Sequence, residues 1–245
     1  QLYNPVKKDW SRVLFGALGL SLDVAPGLVE PGETLGVILP GLVETTGLSS
    51  ETKVVTVGSH DTASAVAAVP AEPSSNFAYL SSGTWSLLGV EIDEPIITQL
   101  AREYNFTNEV GVFDTIRLLK NINGLWLVQE CRRVWQEEGN DWSYFDLAKM
   151  AAGAERLQSF IDPDDPRFAG RCDMPAEIAD YCRETGQIVP EGPAQILRLV
   201  TDSLALKVRF VLDRLEKLID RPIDILHIIG GGSQNDQLNM SISSS

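Results

Sequence analysis

Apolar positions along the chain follow two periods. Between residues 193 and 219, Ile196, Leu199, Val200, Leu204, Val208, Val211, Leu212, Leu215 and Leu218 recur at helical spacing, which predicts one long amphipathic helix. Shorter stretches read the same way. Leu125 to Glu137 carries a stripe of Leu125, Val128, Cys131 and Trp135, and Tyr144 to Ala152 and Pro175 to Glu184 follow. Asp9 to Leu20 places Trp10, Val13, Leu14, Ala17 and Leu18 on one face. Thr62 to Val69 is small and apolar and is closed by Pro70, as suits a helix packed tightly on a sheet. The second period is that of strands. Val54 to Val57 is a β-branched run predicted as a buried strand. Phe77 to Leu80 and Trp85 to Glu91 read as a hairpin, Gly36 to Pro40 and Val112 to Leu119 as further strands, and Ile223 to Ile229 as a strand that breaks at Gly230. Pro26 to Gly36 and Asp162 to Pro175 are turn-rich. Strand, glycine turn and helix in succession predict an α/β layered fold.

Composition narrows the function classes. The chain has 245 residues, of which 44% are hydrophobic and 22% charged, an ordinary globular mixture. Its net charge of −14 disfavours nucleic acid and anionic lipid as partners. Three cysteines without a CxxC spacing indicate neither a disulfide framework nor a zinc site, and they fit a reducing, cytoplasmic setting. Cys172 and Cys182 stand ten residues apart, and pairing between them is not expected. With only two histidines, a multi-histidine metal site is not expected. No apolar run reaches the roughly 18 residues of a membrane span. The opening Gln1-Leu2-Tyr3-Asn4 and the closing Ser241-Ile242-Ser243-Ser244-Ser245 read as the ends of a fragment.

Three turns rich in glycine and hydroxyl groups carry the chemistry: Gly58-Ser59-His60-Asp61-Thr62-Ala63-Ser64, Ser81-Ser82-Gly83-Thr84-Trp85-Ser86 and Gly230-Gly231-Gly232-Ser233-Gln234-Asn235. Each follows an apolar run and sets backbone N–H groups where a strand ends, an arrangement that holds phosphate without much positive charge. Asp61 adds a carboxylate at a helix start, where negative charge is favoured and a proton from a hydroxyl can be accepted. The same position also suits a plain helix N-cap. Ser59-His60-Asp61 is no hydrolase triad, because adjacent residues on extended chain cannot line up as nucleophile, base and orienter. The Ser82-Gly83-Thr84 turn fits a phosphate contact or a bare hairpin. The triple glycine is neither a P-loop nor a dinucleotide fingerprint, and its entropic cost is justified if a ligand approaches the backbone.

Taken together, these turns resemble those of the FGGY carbohydrate kinases, most closely the members that act on L-rhamnulose. The matching stretches are VGSHDTASAVAAVP from Val57, AYLSSGTWSLLG from Ala78, NFTN from Asn105, IRLLKNINGLWLVQEC from Ile116, DSLALK from Asp202 and HIIGGGSQN from His227. The resemblance implies an actin-like, ribonuclease-H-like α/β fold with a mixed sheet flanked by helices. It implies ATP and Mg2+ as cofactors and transfer of the γ-phosphoryl group to the 1-hydroxyl of L-rhamnulose, giving L-rhamnulose 1-phosphate and ADP in L-rhamnose breakdown. Asp61 matches the family's catalytic base, and His60 and Thr62 match positions that, with Asp61, touch the sugar. Gly83 and Thr84 match the phosphate turn. Asn121 and Gln129 match nucleotide positions, and Gly231 matches the one that lies against the adenosine.

The resemblance also implies a division of the chain. Residues 1–50 match the tail of an N-terminal, sugar-binding domain and an interdomain segment. Residues 51–245 match the nucleotide-binding domain, cut short at its C-terminus. On this reading the chain alone is inactive as a kinase. Val110 departs from the family by standing in an Asn-Glu-Gly-Gly run where a glycine is expected. Another ketose or polyol kinase of the family, or a non-catalytic actin-like nucleotide-binding module, is the alternative function.

Overall fold

A computed structural model describes residues 2–72 and 75–245. In chain order come β1 (Tyr3–Asn4), β2 (Asp9–Trp10), α1 (Arg12–Ala17), β3 (Thr34–Val37), α2 (Pro40–Thr46), β4 (Lys53–Val55) and α3 (Asp61–Ala67). There follow β5 (Phe77–Ser82), β6 (Trp85–Ile92), α4 (Gln99–Glu103), β7 (Thr107–Val110), β8 (Ile116–Asn123), α5 (Trp126–Glu137), α6 (Tyr144–Gly153) and α7 (Met174–Glu184). The chain closes with α8 (Gly192–Ile219), β9 (Ile225–Ile229) and α9 (Asp236–Ser243). Five strands form one sheet in the order β7-β8-β6-β5-β9. The sheet is mixed: β5 runs antiparallel to β6, with Ser82 opposite Ser86, and parallel to β9, with Tyr79 opposite His227.

The chain divides into two compact units. One holds Gln1–Pro70, Glu91–Arg102 and Thr107–Leu118, and the other holds Ala71–Val90, Glu103–Phe106 and Leu119–Ser245. In the second, α5, α6, α7 and α9 all pack on α8. Its core includes Tyr79, Leu80, Leu88, Leu127, Leu147, Phe168, Met174, Ile178, Val211 and Leu215, all buried to within 1% exposure. The helical period read between 193 and 219 is therefore a core-facing stripe. α8 has Pro193 in its first turn and ends at Asp220 in the left-handed region, φ 52°. Asp202 and Lys207, both in the DSLALK stretch, do structural work here. Buried Asp202 receives Arg198 Nε at 3.1 Å and the Leu157 amide at 2.8 Å. Lys207 holds the proline-rich loop after α6 through Asp162 at 2.7 Å and Asp164 at 2.9 Å.

The first unit departs from the sequence reading. The expected helix over 9–20 shrinks to α1, and its apolar face stays out: Val13, Leu14 and Leu18 are exposed, and Phe15 is the helix's buried residue. Trp10 lies on β2 and donates through Nε1 to Pro26 O at 2.8 Å. The run at 54–57 pairs as β4 with β3 in a two-stranded ribbon, but every residue of both strands is exposed rather than buried. Two strands cannot bury a β-branched face between them. The strand expected at 112–119 is β8, starting at Ile116, because residues 111–115 form a turn closed by Gly111 N–H to Thr115 O at 2.8 Å. A side chain on Gly111 would lie 2.2 Å from Thr115 Oγ1, so the turn needs glycine there, whereas Val110 sits half-buried on β7.

Candidate functional site

In the second unit the hairpin between β5 and β6 turns at Gly83 and Thr84, and the start of α5 is tied to it. Leu125 N donates to Gly83 O at 2.9 Å and Trp126 N to Thr84 O at 3.1 Å, so the turn's carbonyls satisfy amides that a helix start leaves open. One turn of helix further on, Gln129 Nε2 donates to Thr84 Oγ1 at 3.0 Å. Gly124 permits this approach: a Cβ there would lie 2.6 Å from Ser86 Oγ and 2.7 Å from Gly83 O. Sequence reading did not single out Gly124, although the Asn-Gly step before a helical run was its signal.

The glycine turn after β9 packs against the same hairpin. Gly230 has φ +83°, and a Cβ on it would stand 2.7 Å from Ser82 O. A Cβ on Gly232 would stand 2.0 Å from Ser82 Oγ, while one on Gly231 would meet nothing within 4 Å. Close approach to Ser82, to its backbone at Gly230 and to its side chain at Gly232, thus accounts for the outer two glycines, and the middle one faces open space. Ser233 N and Oγ close the turn on Gly230 O, and Asn235 caps α9 by accepting the Leu238 amide at 3.1 Å.

These elements line a cleft of about 540 Å³. Gly83, Thr84, Gln129 and Gly231 give it polar and backbone groups, and Tyr144 and Phe145 give it aromatic surface. No Lys, Arg, Asp or Glu is among its lining residues. Its uncharged polar side chains are the hydroxyls of Thr84, Tyr144 and Thr201 and the amides of Gln129, Gln234 and Asn235. Tyr144 and Phe145 open α6, whose start is fixed by a capping box in which Ser143 and Asp146 exchange bonds; the hydrogen bonds from Ser143 hold the Asp146 carboxyl below its ordinary range. Asn121 is exposed on β8 and does not line the cleft.

The first unit holds the remaining predicted residues. α3 begins at Asp61, with His60 in the N-cap position and no side-chain cap bond from it. Asp61 Oδ1 accepts the Thr62 amide at 2.6 Å and the Thr62 hydroxyl at 3.3 Å, and its side chain is 93% exposed. Thr62 is buried, so its hydroxyl serves Asp61. Gly58 lets the end of the preceding segment meet α3: a Cβ there would stand 2.7 Å from Ala63 Cβ. His60 is half exposed between two carboxylates, with Nε2 3.5 Å from Asp61 Oδ1 and Nδ1 3.6 Å from Glu109 Oε2. Glu109 escaped the sequence reading, since nothing local distinguishes it from a surface acid.

Among the described residues no group of three His, Cys, Asp or Glu side chains is gathered to hold a metal. All three cysteines are free, and burial pushes the Cys131 and Cys182 thiols above their ordinary range. No helix among the described residues is long and apolar enough to cross a membrane.

Residues 78–244 match the C-terminal domain of the FGGY family of carbohydrate kinases. A rhamnulokinase of Bacteroides thetaiotaomicron is 50% identical over 239 residues, covering 98% of this chain and 48% of that protein. A rhamnulokinase of Enterococcus faecalis is 43% identical over 241 residues, again 98% of this chain and 48% of that protein. The chain therefore spans about half the length of the curated relatives it matches. Among solved structures, a xyloylose kinase from Brucella ovis superposes with a TM-score of 0.69 at 17% identity, over 97% of this chain and 47% of that one. At that identity the likeness speaks for the fold.

Proposed function

The chain belongs to the FGGY family of carbohydrate kinases, and from that premise we propose that it is the nucleotide-side part of an enzyme that phosphorylates L-rhamnulose at its 1-hydroxyl with ATP. The observation that carries the proposal is the convergence of Thr84, Gln129 and Gly231 on one cleft without charged lining residues. The rhamnulokinases similar to it over 98% of its length support the choice of sugar.

In this reading the nucleotide lies in the cleft. Its phosphates run along the Gly83-Thr84 turn, where Gln129 holds the Thr84 hydroxyl in place, and its adenosine runs over Gly231, whose missing side chain leaves the backbone open. Tyr144 and Phe145 offer flat apolar surface for the base. Asp61 accepts the proton of the sugar hydroxyl, and His60 contacts the sugar beside it. Thr62 keeps the Asp61 carboxylate oriented. Phosphoryl transfer passes through a loose transition state, so holding the acceptor oxygen in line matters more than the strength of the base. Mg2+ bound with the nucleotide would supply charge neutralisation on the phosphates. The exposed apolar residues of β3 and β4 support a further proposal, that the first unit is completed by a sugar-binding domain outside this chain. Three free thiols and the acidic charge fit a cytoplasmic enzyme with no nucleic-acid partner.

A panel of ketoses and polyols offered with Mg2+–ATP to the full-length protein tests this. L-rhamnulose is expected to give the highest kcat/KM. Asp61→Asn is expected to cut turnover by at least about 100-fold with ATP affinity nearly unchanged. Preference for another sugar would overturn the substrate, and a large loss of ATP binding in Asp61→Asn would overturn the base.

A further inference from the structure

We propose that Glu109 is a positioning residue for phosphoryl transfer. Pinned by the buried Arg117, it holds the His60 imidazole with its Nε2 edge beside Asp61. The proposal rests on the reading of Asp61 and His60 given above.

Arg117 on β8 is fully buried, an unusual place for a guanidinium. Its Nη2 donates to Glu109 Oε2 at 2.8 Å, while Nε and Nη1 find no partner among the described residues. A buried cation with one carboxylate partner cannot release it cheaply, because the charge left behind would be uncompensated. The Glu109 carboxylate is therefore fixed twice over, by its place on β7 and by Arg117. β7 and β8 are joined by the tight turn that Gly111 makes possible, which holds the strand ends in register.

The same oxygen that takes Arg117 faces His60. Glu109 Oε2 is 3.6 Å from His60 Nδ1, and Asp61 Oδ1 is 3.5 Å from Nε2 on the opposite edge of the ring. Both separations lie within ion-pair range and just beyond a good hydrogen bond. A half turn of the half-exposed imidazole about Cβ–Cγ would exchange its edges. A fixed carboxylate on one side makes the choice, as outer carboxylates do for histidines that bind metals. Arg117, Glu109, His60 and Asp61 thus form a line from the core of the first unit to an exposed carboxylate.

The experiment is a double-mutant cycle in the full-length protein with L-rhamnulose and Mg2+–ATP. Glu109→Gln keeps an acceptor for Arg117 but loses the charge on His60. It is expected to lower kcat roughly tenfold, as loss of an outer partner does, with the KM for ATP nearly unchanged, and also to lower the thermal midpoint, because the buried Arg117 loses its counter-charge. In a His60→Asn background the same change is expected to have little further effect, because the cycle then contains no ring to orient. Equal losses in both backgrounds, or no loss in either, would overturn the proposal. Glu109→Asp guards against misfolding. It preserves the charge against Arg117 while drawing back from His60, and a smaller loss in the same direction is expected; full activity would count against the idea. If the unaltered protein phosphorylates no sugar, the functional reading fails by itself. The ring resonances of His60, read by 15N NMR, then decide: movement in Glu109→Gln supports the orientation, and unmoved resonances refute it.

Discussion

A methyl group placed on Gly232 would collide with Ser82 Oγ at 2.0 Å, and one placed on Gly231 would meet nothing within 4 Å. Neighbouring glycines in one turn are therefore required for different reasons, and substitution separates them. Gly232→Ala forces the turn off the hairpin and is expected to destabilise the fold by about 1–3 kcal/mol, as overpacking does. Gly231→Ala is expected to leave the denaturation midpoint unchanged and to weaken ATP binding, because the new methyl group occupies the space of a ligand. Denaturant titration beside calorimetric ATP titration checks both; equal behaviour of the two variants would mean that the turn is only a turn. Asp61, Thr84 and Gly231 stand out in the sequence because each lies in a short local pattern with a chemical meaning, and the structure sets Thr84 and Gly231 in the lining of one cleft. Glu109 and Arg117 do not. They lie eight residues apart on paired strands, and only the tertiary structure reveals that one is buried and that the other faces His60.

Elements were legible in proportion to what they bury against this chain. α5, α7, α8 and β9 appeared with bounds close to those observed, since a stripe facing a core leaves its period in the sequence. β4 was expected as a buried strand and α1 as a longer helix, but apart from Phe15 their large apolar residues are exposed. Sequence pattern reports that a face is apolar, and it does not report which polypeptide covers that face. The short elements α2, α4 and β7 carry too few positions for either period to be visible. α6 links this scale to the site, because its capping box sets the direction in which Tyr144 and Phe145 enter the cleft. Ser143→Ala removes the acceptor of the Asp146 amide at 3.2 Å and is expected to cost about 1 kcal/mol. Its thermal midpoint should fall modestly, and its ATP affinity should fall with it if α6 forms one wall of the nucleotide site. A lowered midpoint with full affinity would show that the aromatic pair contributes nothing to binding.

Taken as a whole, the molecule is uneven. The second unit has a broad buried core and contains every residue lining the cleft proposed for the nucleotide. The first carries His60, Asp61 and Glu109 but exposes Val13, Val24, Val37, Leu39, Val54 and Val57. These exposed apolar residues fit the proposal that a sugar-binding domain outside this chain covers them. The two halves of the chemistry should then come apart in solution. Calorimetric titration of this chain with Mg2+–ATP is expected to show binding, because the residues that line the cleft all belong to one unit of this chain. Adding L-rhamnulose is expected to change neither the affinity nor the heat, and no ADP should form, because an exposed Asp61 and a half-exposed His60 present too few groups to hold a sugar. Sugar-dependent heat or ADP release would show that the acceptor site is already whole. Absence of nucleotide binding in a sample whose circular dichroism shows the expected helices would refute the assignment of the cleft. Either failure would leave the membership in the kinase family untouched, since that stands on the match over residues 78–244.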